Sequence, residues 1–325
     1  MIIDATGNSE CIARLLDGKI RSVRRLIDQH LKSHSPVCNR LITCFQANCG
    51  KMIRPKLLLL SAGACGKITD DHILSAAIFE IVHDATLLHD DVIDNGLLRR
   101  NKPTINSSWG NKVAILTGDL FLGQAMDMCL GLSKESMSVI VDAIITTCEG
   151  EINQDISGFY DNITEDEYFS IIRMKSAEMF GQCCYLGASL AGANSEICQH
   201  LKKYGLLMGT AYQISDDIED ICSDDSELGK SSGRDVQSRI ITLPVIYYIQ
   251  QGGDLQLLNE MSRDEMVEHL VKSNSLGYCQ KKIGELCLDA IGQLDLLTEN
   301  EYKYALKEAA KSILSKSEVG QSQPI

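Results

Sequence analysis

The sequence predicts an all-α chain folded as a single domain, and three observations carry that expectation. Alternating apolar–polar runs of the kind that build strands are almost absent. Apolar residues recur instead at three- and four-residue steps over long stretches, and no Gly or Pro falls between Gly66 and Gly96. No Pro/Ser-rich linker divides the 325 residues, and a hydrophobic content of 44% is enough for one large core.

Taken in order, residues 10–33 read as an amphipathic helix whose stripe is Ile12, Leu15, Leu16, Ile20, Val23, Ile27 and Leu31. Pro36 marks a turn, and a second helix over 37–48 stops at Asn48-Cys49-Gly50. A third starts near Pro55, a residue suited to a first helical turn. The next helix is the centre of the chain: Leu74, Ala77, Ile78, Ile81, Ala85, Leu88 and Val92 form its stripe, and Asn95-Gly96 its stop. Residues 97–108 are polar, contain Pro103 and read as a loop. Helices are expected at 109–132, 134–157, 164–190 and 195–221, followed by a second polar loop at 223–233 and a new helix near Asp235. Residues 255–316 keep a helical pattern with Gly252-Gly253 and Gly277 as breaks, and 317–325 are expected to be loose.

The net charge of −13, with no basic stripe, excludes a nucleic-acid role and disfavours attraction to anionic lipid. Thirteen cysteines form no C-x-x-C pair and no Cys/His cluster at zinc spacing. Cys129, Cys148, Cys198 and Cys287 lie in apolar helical runs, as small hydrophobes do. A reducing cytoplasm fits this usage. The N-terminus has no signal-peptide pattern, and no apolar run reaches membrane-spanning length, so stable membrane insertion is not expected.

The central helix ends in Asp90-Asp91-Val92-Ile93-Asp94. Asp90 and Asp94 stand four apart and project from one side. Like charges at that spacing repel, and at a helix C-terminus they also oppose the macrodipole. A hard divalent cation relieves both costs, and Mg2+ is usually held by one or two carboxylates plus waters and phosphates. A lone cluster of this kind reads equally as a solvated acidic helix end. The second copy, Asp216-Asp217-Ile218-Glu219-Asp220, also closes an apolar helical run. Facing each other, the two clusters can hold several Mg2+ ions around one diphosphate.

With these clusters the chain resembles the trans-isoprenyl diphosphate synthases, or polyprenyl synthetases. The resemblance runs from about Gly50 to Pro244. Its landmarks occur in order: Gly50-Lys51 with Arg54-Pro55, the first Asp cluster, Arg99-Arg100-x-Lys102-Pro103-Thr104, Gly118-Asp119, Gly150-Glu151, Lys175-Ser176, Gln213, the second Asp cluster, and Gly229-Lys230. It implies one helical bundle over residues 1–325 around a central active-site cavity, and a homodimer. It implies a prenyltransferase that ionises an allylic prenyl diphosphate with Mg2+, three ions on the expected count. Isopentenyl diphosphate then adds to the cation, and the departing diphosphate accepts the proton. Asp90, Asp94 and Asp216 are the first-choice metal ligands on this reading, with Asp91, Asp217 and Asp220 beside them. Lys51, Arg54, His83 and Arg100 match the isopentenyl diphosphate site, and Arg99 the contact to the allylic diphosphate. Lys175 and Lys230 match lysines that clamp the same group, and Gln213 matches the family's glutamine one turn before the second cluster. Ser176 stands where the family usually has Thr. One departure is Ile240, where the family commonly has a further Lys; Arg239 precedes it and points about 100° away on a helix. Gly229-Lys230-Ser231 is no nucleotide P-loop, since Asp224 occupies the place of the first Gly and no strand precedes it.

Product length is read from the central helix. Thr86, Val82 and Phe79 lie four, eight and eleven residues before Asp90, on one side of the helix. Short-chain members of the family carry bulky aromatics four or five residues before the first Asp; here those places are Thr86 and Ala85, both small. Phe79 is the first large ring, ~16 Å below Asp90. The expected product is longer than C15, in the C20–C40 range. Two rivals are a class I terpene cyclase, which has no use for the Lys51/Arg54/Arg100 set, and a non-catalytic, length-regulating subunit, which can dispense with its Asp clusters.

Overall fold

The computed structural model describes residues 7–46, 50–157, 163–222 and 241–319. Its elements are helices α1 (Gly7–His30), α2 (Pro36–Gln46), α3 (Ile53–Cys65) and α4 (Asp70–Ile93). A two-strand ribbon β1 (Leu98–Arg99) and β2 (Lys102–Pro103) leads into α5 (Ile105–Trp109), α6 (Asn111–Cys129) and α7 (Lys134–Ser157). Then come α8 (Glu165–Ile172), a π-helical turn (Arg173–Ala177), α9 (Glu178–Leu190) and α10 (Ser195–Cys222). The described chain closes with α11 (Leu243–Gln250), α12 (Leu255–Glu260), α13 (Arg263–Lys272), α14 (Ser275–Gln293) and α15 (Glu301–Val319). The fold is all-α: the ribbon is the only sheet among the described residues.

Helices α3 and α4 are buried over most of their length, as helices within a bundle are. Leu58, Leu59, Ile78, Phe79, Ile81 and Tyr204 are fully buried in the main core. A smaller cluster joins Ile221, at the end of α10, to Val245, Tyr248, Leu258, Met266 and Leu270. His72, in the first turn of α4, accepts from the Thr69 backbone N–H at Nδ1 and reaches the Gly187 carbonyl with Nε2. Burial lowers its pKa, so this ring is a neutral fixture of the core. No described helix is long and apolar enough to cross a membrane.

The C-terminus of α4 is locked. Asn95 takes a left-handed φ of 51°, the Gly96 N–H donates to Asp91 O at 2.8 Å and the Asn95 N–H to Val92 O at 3.3 Å, a Schellman closure. Asn106 Nδ2 donates to Asp91 O and Gly96 O, and Thr104 Oγ1 to Gly96 O. The last turn of α4, which carries the first Asp cluster, is thus fixed by the segment that follows it.

Four expectations need correction. Residues 97–108 are not a loop: Leu98 pairs with Pro103 and Arg99 with Lys102, and 105–109 are helical. Arg100 and Asn101, with φ of 53° and 62°, make the two-residue hairpin turn in which both central residues are left-handed. Residues 164–190 are not one continuous helix, because the π-helical turn interrupts them. Gly277 does not break a helix; it sits in the first turn of α14, and the chain turns instead at Asn274, φ 61°. The last helix continues to Val319 rather than stopping at 316. The loop at 223–233, the start near Asp235 and the tail beyond Val319 lie outside the described residues. Cys148 is exposed, unlike the buried Cys129, Cys198 and Cys287.

Candidate active site

The three acids at the end of α4 are divided by helical geometry. Asp91 turns inward, is 4% exposed, and receives the Arg99 guanidinium on both oxygens, Nε to each at 3.1 Å and Nη2 to Oδ1 at 2.8 Å. Arg99, expected on the allylic diphosphate, is therefore anchored to the first cluster from β1. Asp90 projects about 100° away from Asp91. Burial, then the nearby Glu151 and Asp94 carboxylates, push its pKa up to about 7, against the pull of Lys175 and Arg99.

Lys175 is delivered by the π-helical turn and pairs with Glu151 Oε2 at 2.9 Å. Burial would lower its pKa, but Glu151, Asp90 and Asp94 outweigh that and hold it above its ordinary value, so it stays charged. Burial raises Glu151, and Lys175 opposes the rise. Two glycines let neighbouring backbones close on this turn. A Cβ on Gly150 of α7 would lie 2.4 Å from Lys175 N, and one on Gly209 of α10 would lie 2.6 Å from Ala177 Cα. The extra residue of a π turn commonly marks a functional site.

The second cluster is divided in the same way. Asp217 shares a stripe of α10 with Gln213, Asp216 points about 100° away from it, and Asp220 lies between the two and is buried like Asp217. Asp217 is 5% exposed and accepts from Tyr168 Oη at 2.5 Å and from Gln213 Nε2 at 2.8 Å. Ser176 Oγ donates to Gln213 Oε1 at 2.5 Å. Ser176 and Gln213, expected at the substrate, are here joined to each other and to Asp217. Burial raises the Asp217 pKa, and the Tyr168 and Gln213 donors work against the rise.

The cationic group lies further back along α4. Arg54 is held by α9, its Nε donating to Met179 Sδ at 3.0 Å and its Cζ lying 5.1 Å from the centre of the Phe180 ring. Arg100 stands at the tip of the hairpin, against Gly50, with Glu80 on the same spot. His83 is pushed well below its ordinary value by burial and then by Arg54, Arg99 and Arg100, which makes it neutral. Glu80 and Asp84 are carboxyls raised by burial and opposed by Arg54 and Arg100. Lys51 is half-buried just before α3. Lys230, Arg239 and Ile240 lie outside the described residues.

Of the four residues read for product length, Phe79, Val82 and Ala85 are completely buried. Thr86 is half-buried and donates its hydroxyl to the His83 carbonyl at 2.8 Å.

Sequence reasoning missed Glu151, Tyr168, Glu80 and Asp84 as members of the site. Glu151 was within reach, because Gly150-Glu151 is one of the landmarks of the resemblance. Tyr168 was not, since its role depends on a contact 49 residues away.

Among the described residues no group of three His, Cys, Asp or Glu side chains forms a metal site by itself. Asp90, Asp94 and Glu151 crowd around the single charge of Lys175.

The family model for polyprenyl synthetase matches residues 35–274. The chain is 36% identical over 280 residues to the all-trans-nonaprenyl-diphosphate synthase (geranyl-diphosphate specific) of Rhodobacter capsulatus, covering 82% of this chain and 85% of that one. It is 31% identical over 310 residues to the octaprenyl diphosphate synthase of Escherichia coli, covering 92% and 96%. Its fold matches a polyprenyl synthase from Caulobacter crescentus solved with calcium and isoprenyl diphosphate, at a TM-score of 0.89 and 28% identity, over 94% of this chain and 97% of the other.

Proposed function

The chain belongs to the polyprenyl synthetase family, and from that premise we propose that it joins isopentenyl diphosphate to an allylic prenyl diphosphate in trans elongation. The product on this reading is a polyprenyl diphosphate longer than C15. The observation that supports it is the division of α4 into a cationic region and an acidic one. His83 and Asp90 are seven residues apart, so they share a face ~10 Å apart along the axis. Around His83 stand the guanidinium groups of Arg54 and Arg100. Around Asp90 stand Asp94, Glu151 and Lys175.

Each region suits one substrate. Arg54, fixed by Met179 and Phe180, offers its remaining guanidinium donors to isopentenyl diphosphate, with Lys51 and Arg100 adding charge. Neutral His83 gives a single ring N–H without further positive charge. Asp90, Asp94 and Asp216 would hold Mg2+, with three ions expected; when bound, the metal neutralises the allylic diphosphate so that it can leave. Lys175, charged and clamped by Glu151, provides fixed positive potential beside that leaving group, and Lys230 is assigned the same task. The growing chain enters beside Thr86; Phe79, packed on every side, must move before the chain passes its depth. The C20–C40 expectation reaches the octaprenyl product of one relative at its upper limit, and the nonaprenyl product of the other lies just beyond it.

Incubating the purified chain with labelled isopentenyl diphosphate, Mg2+ and geranyl, farnesyl or geranylgeranyl diphosphate in turn tests this reading. Labelled products longer than C15 are expected on chromatography. Cyclic hydrocarbon formed from the allylic substrate alone marks a cyclase, and activity only after adding a second kind of chain marks a subunit of a heteromer.

The homodimer assignment rests on α7. Met137, Val141, Ile145, Ile152 and Ile156 recur along one side of that helix and are exposed. An apolar face of this extent suits an isologous contact with a second copy. Ile145→Asp is expected to shift the mass measured by light scattering from dimer to monomer; an unchanged mass overturns the assignment. Free thiols at the described cysteines suit a cytoplasmic enzyme.

A further inference from the structure

The hydrogen bonds around Asp217 form a directed series that no substrate contact requires. Ser176 Oγ donates to Gln213 Oε1 at 2.5 Å, Gln213 Nε2 donates to Asp217 Oδ1 at 2.8 Å, and Tyr168 Oη donates to Asp217 Oδ2 at 2.5 Å. The direction is fixed by chemistry. Turning the Gln213 amide over would place its carbonyl against a carboxylate, two acceptors face to face. Both Asp217 oxygens are thereby oriented, and Tyr168, 4% exposed, has its ring in an edge contact with Phe169 at 5.6 Å.

The position of the donors in the chain gives the series its meaning. Tyr168 lies in α8 before the π-helical turn, and Ser176 lies within it, next to Lys175. The two bracket the extra residue and both are tied to one stripe of α10. Lys175 is in turn paired with Glu151 at 2.9 Å, in the field of Asp90 and Asp94. The bonds therefore run from the second acid cluster to the lysine that serves the first. On α10 itself, Asp216 points about 100° away from Asp217, while Asp220 lies between the two and is buried with Asp217.

We propose that Tyr168 is a positioning residue: by holding Asp217 it fixes the second acid cluster relative to Lys175, so that Asp216 is presented to the metal–diphosphate group at a set spacing. This rests on the prenyltransferase reading above. Tyr168 acts through Asp217, and the isopentenyl diphosphate region around Arg54 and Arg100 does not depend on it.

The experiment is a Mn2+ titration by electron paramagnetic resonance in the presence of inorganic diphosphate, run on wild type, Tyr168→Phe, Asp217→Ala and the double variant. Tyr168→Phe keeps the buried ring and removes only the hydroxyl. Its Mn2+ affinity is expected to fall by roughly tenfold, the scale of losing a group that orients a metal ligand. In turnover, kcat is expected to fall while the KM for isopentenyl diphosphate stays the same. In the Asp217→Ala background, where no acceptor remains for its hydroxyl, the same substitution is expected to add nothing, because its route of action is already gone. Gln213→Leu, which removes the other donor to Asp217, gives a second entry and is expected to show the same selective loss. Equal losses from Tyr168→Phe in both backgrounds, unchanged Mn2+ affinity, or a parallel rise in the KM for isopentenyl diphosphate overturns the proposal. If wild type makes no prenyl product, the functional reading fails, while the Mn2+ titration still reads the relay.

Discussion

The two aspartate clusters share one spelling and are built differently. In each, the middle aspartate turns away from its neighbours and is held by the protein. Asp91 is held by a charged guanidinium, Arg99, on a ribbon eight residues later in the chain. Asp217 is held by two neutral donors, Tyr168 and Gln213. The first arrangement cancels a charge; the second leaves it in place and only orients it. Lys175 pairs with Glu151 beside the first cluster and also acts on Asp217 of the second. A repeated motif therefore fixes which residue types are present, while the countercharge, set by distant segments, decides what each copy does.

The largest expected effect tests what the clusters have in common. Asp90→Ala and Asp216→Ala each delete an assigned metal ligand rather than core packing. Each is expected to lower turnover at limiting Mg2+ by on the order of a thousandfold, the several kcal/mol that Lewis-acid stabilisation supplies. Near-wild-type rates in either variant would remove the two-cluster model.

The middle aspartates test what they do not share. Asp91→Ala strands a guanidinium that is 23% exposed and is expected to cost about 2–3 kcal/mol in urea denaturation. Asp217→Asn keeps the shape and loses only stronger hydrogen bonds, for about 1 kcal/mol. A reversed order would mean that the neutral donors carry more of the fold than the ion pair.

The pH dependence sharpens the contrast. Asp90 has its pKa raised in the folded, metal-free protein to about 7, from its ordinary value of 3.8. Between those values the folded state binds more protons than the unfolded one, so this group lowers stability as pH rises from about 4 to 7 and adds no further change above it. Metal-free Asp90→Asn is expected to lack that decline, so its advantage over wild type should grow across this range in denaturation at fixed ionic strength. A constant difference from pH 4.5 to 7.5 would show that Asp90 is not raised.

A smaller effect concerns product length, read on the same helix. Ala85→Phe is expected to shorten the products seen on chromatography, because a ring fills the space beside Thr86, and Phe79→Ala to lengthen them. Unchanged products in both variants would place the growing chain elsewhere.

How much of this was legible in the sequence follows from the range of the forces involved. The central helix was, because its stripe is local and nothing between Gly66 and Gly96 interrupts it. So were the acid clusters, whose spacing is itself the signal. The ribbon at 98–103 was hidden, because its turn uses Arg100 and Asn101 in left-handed conformations where Asn-Gly would have announced it. The π-helical turn was hidden as well: one inserted residue changes no composition, yet it shifts every face after it. Gly277 misled because glycine is costly in helix interiors, whereas here it lies in a first turn. The partners of Lys175 and Asp217 depend on that shifted register and on helices brought together only by folding.

The glycines flanking the π-helical turn set a rule for anyone engineering a more heat-resistant version. Replacing helical glycine by alanine is a routine route to stability, since it narrows the unfolded ensemble. At Gly150 and Gly209 that substitution would drive a methyl group into neighbouring backbone and spread the turn that carries Lys175. Gly18 in α1 has open space around it, and there the same change is expected to add about 0.5–1 kcal/mol without touching the chemistry. Thermal tolerance in this chain is available at its periphery, and its interior glycines are closed to that kind of improvement.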